Sequence, residues 1–197
     1  LLIASVVMLA LVIERLTSLR AVRVAPPKLL DEVMGVVRNG LPSPDVVNKL
    51  AENSILGGVL ASGVRAMILD PRLGEEQLKN VFESAGRVAS HRLERYLNTL
   101  GTIATAAPLM GLFGTVVGMI EIFGSQAPTA GAGSPEQLAH GISIALYNTA
   151  FGLLIAIPAL MFYRYFRGRI DEYVLELEQA TERLVPQLLK IAARSAG

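Results

Sequence analysis

Hydrophobic and polar residues fall in long blocks along this chain. Leu1 to Ile13 is uninterrupted apolar sequence, closed by Glu14-Arg15-Leu16. Such a run predicts a first membrane helix over residues 1–20, with its charges at the interface. The thirteen apolar residues span only about 20 Å as helix, so either the helix continues to Leu19 with its charges at the interface or residues upstream of Leu1 are expected to be missing. A signal-peptide core is the competing interpretation, but no basic n-region is visible and no Ala-x-Ala site follows the run.

Residues 21–99 are different material and predict a helical domain outside the membrane. Ala25-Pro26-Pro27 breaks the chain. Leu29, Leu30, Val33, Val36 and Val37 then recur at helical spacing, until Asn39-Gly40-Leu41-Pro42-Ser43-Pro44 stops that helix and starts another. Asp45 to Leu69 predicts one helix, softened by Gly57, Gly58 and Gly63. After a turn at Asp70-Pro71-Arg72-Leu73-Gly74, Glu75 and Glu76 place acids in the first turn of a further helix, where the dipole favours them. Its apolar positions are Leu78, Phe82, Ala85, Val88, Leu93 and Leu97. No proline separates it from the next block, so it is expected to run straight into the membrane.

That next block, residues 100–123, is long enough to cross about 30 Å of hydrocarbon and carries a single charge, Glu121. It is rich in Gly, Ala and Thr, which predicts a second membrane helix packed closely among others. Residues 124–137 form a loop by composition, and Ser134-Pro135-Glu136 opens a helix with proline in its first turn. Residues 138–163 predict the third membrane helix, bent at Pro158, and 164–197 an amphipathic helix kinked at Pro186. Tyr163, Tyr165 and Phe166 are expected as an aromatic anchor at the interface. His91, Arg92 and Arg95 form a basic helix face expected to meet water or lipid headgroups.

Charge orients these helices. Of the 18 Lys and Arg, 12 fall in residues 14–99 and six in 164–197, while the 124–137 loop has none. The positive-inside rule then places both basic regions in the cytoplasm and the short loop outside. Composition agrees with a membrane protein: 52% of residues are hydrophobic, 18% are charged, and the mean hydropathy is +0.47. A net charge of +1 gives no argument for nucleic acid as a partner, and the absence of Cys excludes disulfides, thiolate zinc sites and thiol nucleophiles. The expected fold is an all-α membrane protein, with three transmembrane helices and long cytoplasmic helical extensions. P-loop, HExxH and G-x-S-x-G motifs are missing, so neither an enzyme, a catalytic residue, a metal nor a cofactor is expected.

Candidate chemistry lies inside the membrane. In the second helix Gly111, Gly114 and Gly118 fall at spacings of three and four, and Thr115, four past Gly111 and three before Gly118, is expected to share their face. In the third, Gly141, Ala145, Asn148, Thr149, Gly152, Ala156 and Ala159 form a matching small stripe. Thr115 lies eight residues inside Phe123 and Thr149 eleven inside Leu138, or about 12 and 16 Å deep. Two threonines and an asparagine are therefore expected near mid-membrane on close-packed faces. Packing alone explains the glycines and alanines; an amide in the bilayer needs a partner as well.

Pro-Leu-Met-Gly-Leu-Phe-Gly-Thr-Val-Val-Gly-Met-Ile at 108–120 resembles the second-helix signature of the ExbB/TolQ/MotA proton-channel family. Gly-Ile-Ser-Ile-Ala-Leu-Tyr-Asn-Thr-Ala-Phe-Gly-Leu-Leu-Ile-Ala-Ile-Pro-Ala at 141–159 is similar to its third helix. Three expected helices point to the ExbB/TolQ branch, ExbB above all. The resemblance implies a subunit of a bacterial inner-membrane motor that uses proton-motive force to drive TonB-dependent transport across the outer membrane. It implies a homo-oligomeric ring, a pentamer, around an ExbD- or TolR-like single-helix partner whose aspartate takes the proton. A TonB- or TolA-like protein would receive the motion, the lipid membrane would surround the ring, and protons would be the transported ion. The family's path threonines carry over to Thr115 and Thr149. Its usual third-helix glutamate, five residues before the threonine, is Ile144 here; His140 and Glu121 are the secondary candidates for the missing acid, and each has the plainer alternative of an interfacial cap. A TolQ-like subunit of the Tol-Pal system and a passive scaffold docking a cytoplasmic partner are the alternatives.

Overall fold

The structure, a computed structural model, describes residues 1–125 and 135–195. Every element among them is helical: α1 (Leu2–Ser18), α2 (Ala21–Val24), α3 (Leu29–Arg38), α4 (Pro44–Asn53), α5 (Ile55–Leu69), α6 (Glu75–Leu93), α7 (Leu97–Ser125) and α8 (Pro135–Ser195). The expected all-α membrane architecture is what is found. Leu97–Gly124 and Ala139–Arg194 are long and apolar enough to cross a membrane, each with a hydropathy of 1.8. The third expected span is α1, which at 17 residues is shorter than either. Most of the loop expected at 124–137, residues 126–134, lies outside the described residues.

The chain divides into two compact units. One consists of residues 15–95 and 167–197. Its centre is α5, a helix apolar nearly all round, with Leu56, Gly57, Val59, Leu60, Ala61, Gly63, Val64 and Met67 buried. A helix of that composition is stable only inside other elements. Gly63 lies directly under the Phe82 ring of α6, leaving no room for a side chain. From α8 this unit takes a buried row, Ile170, Tyr173, Leu177, Ala180, Leu184 and Leu188, at spacings of three and four. The Tyr173 hydroxyl donates to the Leu19 carbonyl at 2.9 Å, and Arg169 donates to the same hydroxyl at 2.9 Å.

Two expected helices are broken here. The single helix read over 45–69 is two, α4 and α5. Ser54 interrupts it in extended conformation, and its hydroxyl caps α5 by accepting from the Gly57 N–H at 3.0 Å. The helix expected to run from Glu75 into the membrane stops at Leu93. Arg15, only 3% exposed, donates to the Leu93 carbonyl at 3.0 Å, so a terminal carbonyl is satisfied by a side chain 78 residues away in sequence. Tyr96 then takes a φ of 63°, a left-handed conformation costly for a bulky residue, and α7 begins one residue later. Conversely, α8 is one unbroken helix of 61 residues through both Pro158 and Pro186.

The other unit consists of residues 1–14 and 96–166, with α7 and the first part of α8 as its main elements. Buried positions on α7 are Leu97, Leu100, Ala104, Ala107 and Gly111; on α8 they are Ala145, Gly152, Ile155, Ala156 and Ala159. Ala107, Ile155 and Ala156 form a small core, with Leu1 and Ile103 packed on it. Phe166, expected at the interface, is instead buried and stacks on Phe162 at 5.9 Å. Tyr163 lies half-buried over Gly101, and of the three expected anchors only Tyr165 is exposed.

Gly63 and Gly35 test the packing of the first unit. Gly63→Val drives a side chain into the buried Phe82 ring and is expected to lower stability by about 1–3 kcal/mol. Gly35, on α3 with open space around it, should gain about 0.5–1 kcal/mol as Gly35→Ala. Thermal unfolding of the full chain in detergent, followed by circular dichroism, reads both; a Gly63→Val variant melting with the wild type contradicts the α5–α6 packing.

Candidate functional site

The site is built on backbone contact between α7 and α8, which run antiparallel. A Cβ on Gly111 would lie 2.7 Å from the Asn148 carbonyl oxygen and 3.3 Å from the Gly152 Cα. A Cβ on Gly152 would lie 2.6 Å from the Ala107 carbonyl oxygen and 3.2 Å from the Gly111 Cα. Only glycine fits at either place, because the atoms that would be struck are main chain. The same register continues outward: Gly114 faces the Asn148 side chain, Gly118 faces Ala145, and Gly141 lies under Ile122. Toward the other end of α7, Gly101 faces the Tyr163 ring. All the residues named from sequence as packing positions, including Ala156, lie along this seam.

The polar candidates sit at its edges. Asn148 projects against Gly114, with its amide nitrogen 3.0 Å from the position of a Gly114 Cβ, and is exposed on its outer side. Thr149 is half-buried, its Cα 3.0 Å from where a Gly111 Cβ would be. Neither side chain has a hydrogen-bond partner among the described residues. The threonines of α7 behave differently: Thr102 donates to the Asn98 carbonyl at 2.9 Å, Thr105 to Gly101 at 3.1 Å, and Thr115 to Leu112 at 2.6 Å. Thr115 therefore keeps only its lone pairs for an outside donor.

Thr115 and Glu121 flank opposite sides of the glycine stripe. At about 100° per residue they are about 120° apart around α7. Thr115 lines a hollow of about 480 Å³ with Val116, Met119, Ile120 and Phe123. Glu121 lines a different cavity of about 420 Å³, the groove between the helices, with Gly114, Gly118, Gly141, Ile144 and Asn148 among its walls. The structure thus brings Asn148 and Glu121 to one groove and puts Thr115 on the other flank. His140, exposed in the first turns of α8, is not among the groove's lining residues. Among the described residues, no three acidic or histidine side chains gather as a metal site would need.

Sequence reasoning missed Ile122, Ala107 and Tyr163 as the residues the glycines receive. Their spacing was visible, but their facing partners depend on the register of two helices distant in sequence.

A family model for the MotA/TolQ/ExbB proton channel family matches residues 51–179, more than half of the chain and all of the seam. The chain belongs to that family. Among proteins similar to it is the biopolymer transport protein exbB1 of Vibrio cholerae, 41% identical over 105 residues, which are 52% of this chain and 45% of that protein. An ExbB-like 3 biopolymer transport protein of Synechocystis is 30% identical over 177 residues, 89% of this chain and 82% of the relative. The Tol-Pal system protein TolQ of Pseudomonas aeruginosa is 35% identical over 103 residues, 52% of this chain and 44% of that protein. The chain spans less than half of the Vibrio and Pseudomonas proteins it matches. Membership of the family fits the seam, since its matched region holds both glycine-bearing helices and all the polar edge residues.

Two variants test the register. Because the chain has no cysteine, Gly118→Cys with Ala145→Cys gives an unambiguous cross-link; their Cβ positions, 3.2 Å apart, need to part by only a few tenths of an ångström to reach a disulfide's span of about 3.5–4.5 Å. Gly152→Ala in that background is expected to depress cross-linking and to cost about 1–3 kcal/mol in thermal unfolding. Gly124→Ala, in open space, leaves both unchanged. A double-cysteine variant that stays reduced under mild oxidation contradicts the pairing of α7 and α8.

Proposed function

We propose that this chain is the proton-path subunit of a bacterial inner-membrane motor that couples proton-motive force to TonB-dependent transport across the outer membrane. The observation that carries the proposal is the open polar edge of the seam, where the Asn148 amide and the Thr149 hydroxyl have no partner within the described chain. Neutral donors and acceptors at that depth can hold a chain of waters or bind a partner's carboxyl group, whereas a fixed charge there would cost several kcal/mol. The hydroxyl of Thr115, already donating to Leu112, accepts from a water or from a protonated carboxyl. The titrating carboxylate comes from a single-helix ExbD- or TolR-like protein held inside a ring of copies of this chain, a pentamer.

In this proposal α1, α7 and the seam half of α8 are the three spans. The 14–99 and 164–197 segments lie in the cytoplasm, because they hold all 18 basic residues. The exposed apolar side chains of α7, among them Leu109, Leu112, Phe113, Val116 and Ile120, then face lipid or neighbouring copies. The TolQ-like role in the Tol-Pal system is the second reading, favoured by the TolQ proteins among the relatives. In it a TolA-like protein takes the place of the TonB-like one and the proton path is the same.

Thr149→Val removes the hydroxyl with little change of shape. It is expected to lower proton flux, measured with a trapped pH dye in membrane vesicles carrying the native assembly, by about tenfold, the equivalent of one hydrogen bond in a transfer step. Thr149→Ser should keep most of it. If Thr149→Val and Thr115→Val both conduct at the wild-type rate, the chain is a scaffold and these residues are packing.

A further inference from the structure

Glu121 is the only charged residue of α7, a helix of 29 residues. It lies one turn inside the end of the apolar span Leu97–Gly124. A carboxylate in such a helix is expensive unless it keeps contact with water or has a partner. Among the described residues it has no ion pair and no hydrogen bond, and it is exposed. It also belongs to a shaped cavity: Gly114, Val117, Gly118 and Glu121 follow helical spacing along one wall, and Gly141, Ile144, Ala145 and Asn148 follow it along the other. Glycine and alanine keep this groove open, and the large side chains in it, such as Ile122 and Ile144, are apolar. Among the described residues its polar side chains are therefore two. Glu121 sits at the end of the groove nearer the end of α7, and Asn148 sits opposite Gly114, seven residues or about 10 Å further in.

From this placement we infer that Glu121 is the proton-exchange group at the mouth of the α7–α8 groove, loading a water held between it and Asn148. The inference rests on the proton-path function proposed above and adds the entry step to it. The carboxylate takes a proton from a hydronium ion or buffer acid at the 124–137 side. The resulting acid gives that proton to a water in the groove as that water passes one of its own along the path toward the partner's carboxylate, and the Glu121 carboxylate is regenerated. Asn148 supplies both an acceptor and a donor to that water, so the proton advances without a charged side chain at depth. Among the described residues no other titratable side chain lines the groove from either helix; His140, next to Gly141 on α8, is outside it.

The test is the dependence of proton flux on external pH, in right-side-out vesicles carrying the native assembly, against vesicles lacking the chain. Glu121→Gln, which keeps shape and removes the titrating group, is expected to lower flux by about tenfold at alkaline external pH, where protons are scarce. In acid the loss should shrink to about twofold or less, because direct entry from solution then suffices. Glu121→Asp should follow the wild-type profile. The inference is overturned if Glu121→Gln conducts like the wild type at every pH, or if its loss is the same at every pH and shared by Glu121→Asp, which marks a packing role. Wild-type vesicles that conduct no better than those lacking the chain would sink the proton-path function itself. Wild-type flux that Thr149→Val reduces and Glu121→Gln does not touch would sink only the entry step.

Discussion

Contact between the backbones of α7 and α8 is the constraint on which the functional half of the chain depends. In a bilayer, helices gain nothing by hiding apolar surface from one another, because lipid is as apolar as they are. What remains is dispersion between closely fitted surfaces, which falls steeply with a gap of even half an ångström. Gly111 and Gly152 remove that gap where the helices cross, and main-chain atoms meet there at van der Waals distance. The approach fixes the register, and the register decides which side chains line the groove. Gly114 makes space for Asn148, Gly118 for Ala145, and Gly141 for Ile122. The large residues left over, such as Leu112 and Leu154, point outward and are exposed. The pair has little interior of its own, and its exposed faces require lipid or further copies to cover them.

The seam was legible in the sequence because it is a spacing. Small residues three and four apart on two apolar segments can serve little else, and Gly111, Gly114, Gly118, Gly141, Ala145 and Gly152 all lie on it. What sequence alone did not yield depends on tertiary partners. The end of α6 is set by Arg15, a residue that reads from sequence as one more interfacial charge but is buried with its guanidinium on the Leu93 carbonyl. Neither glycine nor proline marks that break, and Tyr96 bears the left-handed turn in their place. Ser54 was equally silent, since serine is common within a polar helix face and becomes a cap only where the chain turns into the core. Phe166 shows the converse error: next to Tyr165 it reads as a membrane-interface aromatic, whereas helical geometry turns it inward and its neighbour out.

The placement of polar groups along the groove follows one physical rule, that charge is cheap at the rim and costly at depth. At depth stands the amide of Asn148, a neutral group that both donates and accepts. At the rim stands a carboxylate. Ile144, where the family resemblance leads one to expect a glutamate, lines the same cavity as Glu121 from the opposite helix. An acid on either wall would reach the same groove, so in the proton-path proposal the cavity, rather than the helix that carries the acid, is the unit that matters. Two acids there would repel each other. An apolar residue at 144 is thus the expected counterpart of a carboxylate at 121. It closes the far wall of the groove against a second charge, and leaves the single carboxylate in contact with water on one side and with the amide of Asn148 further in.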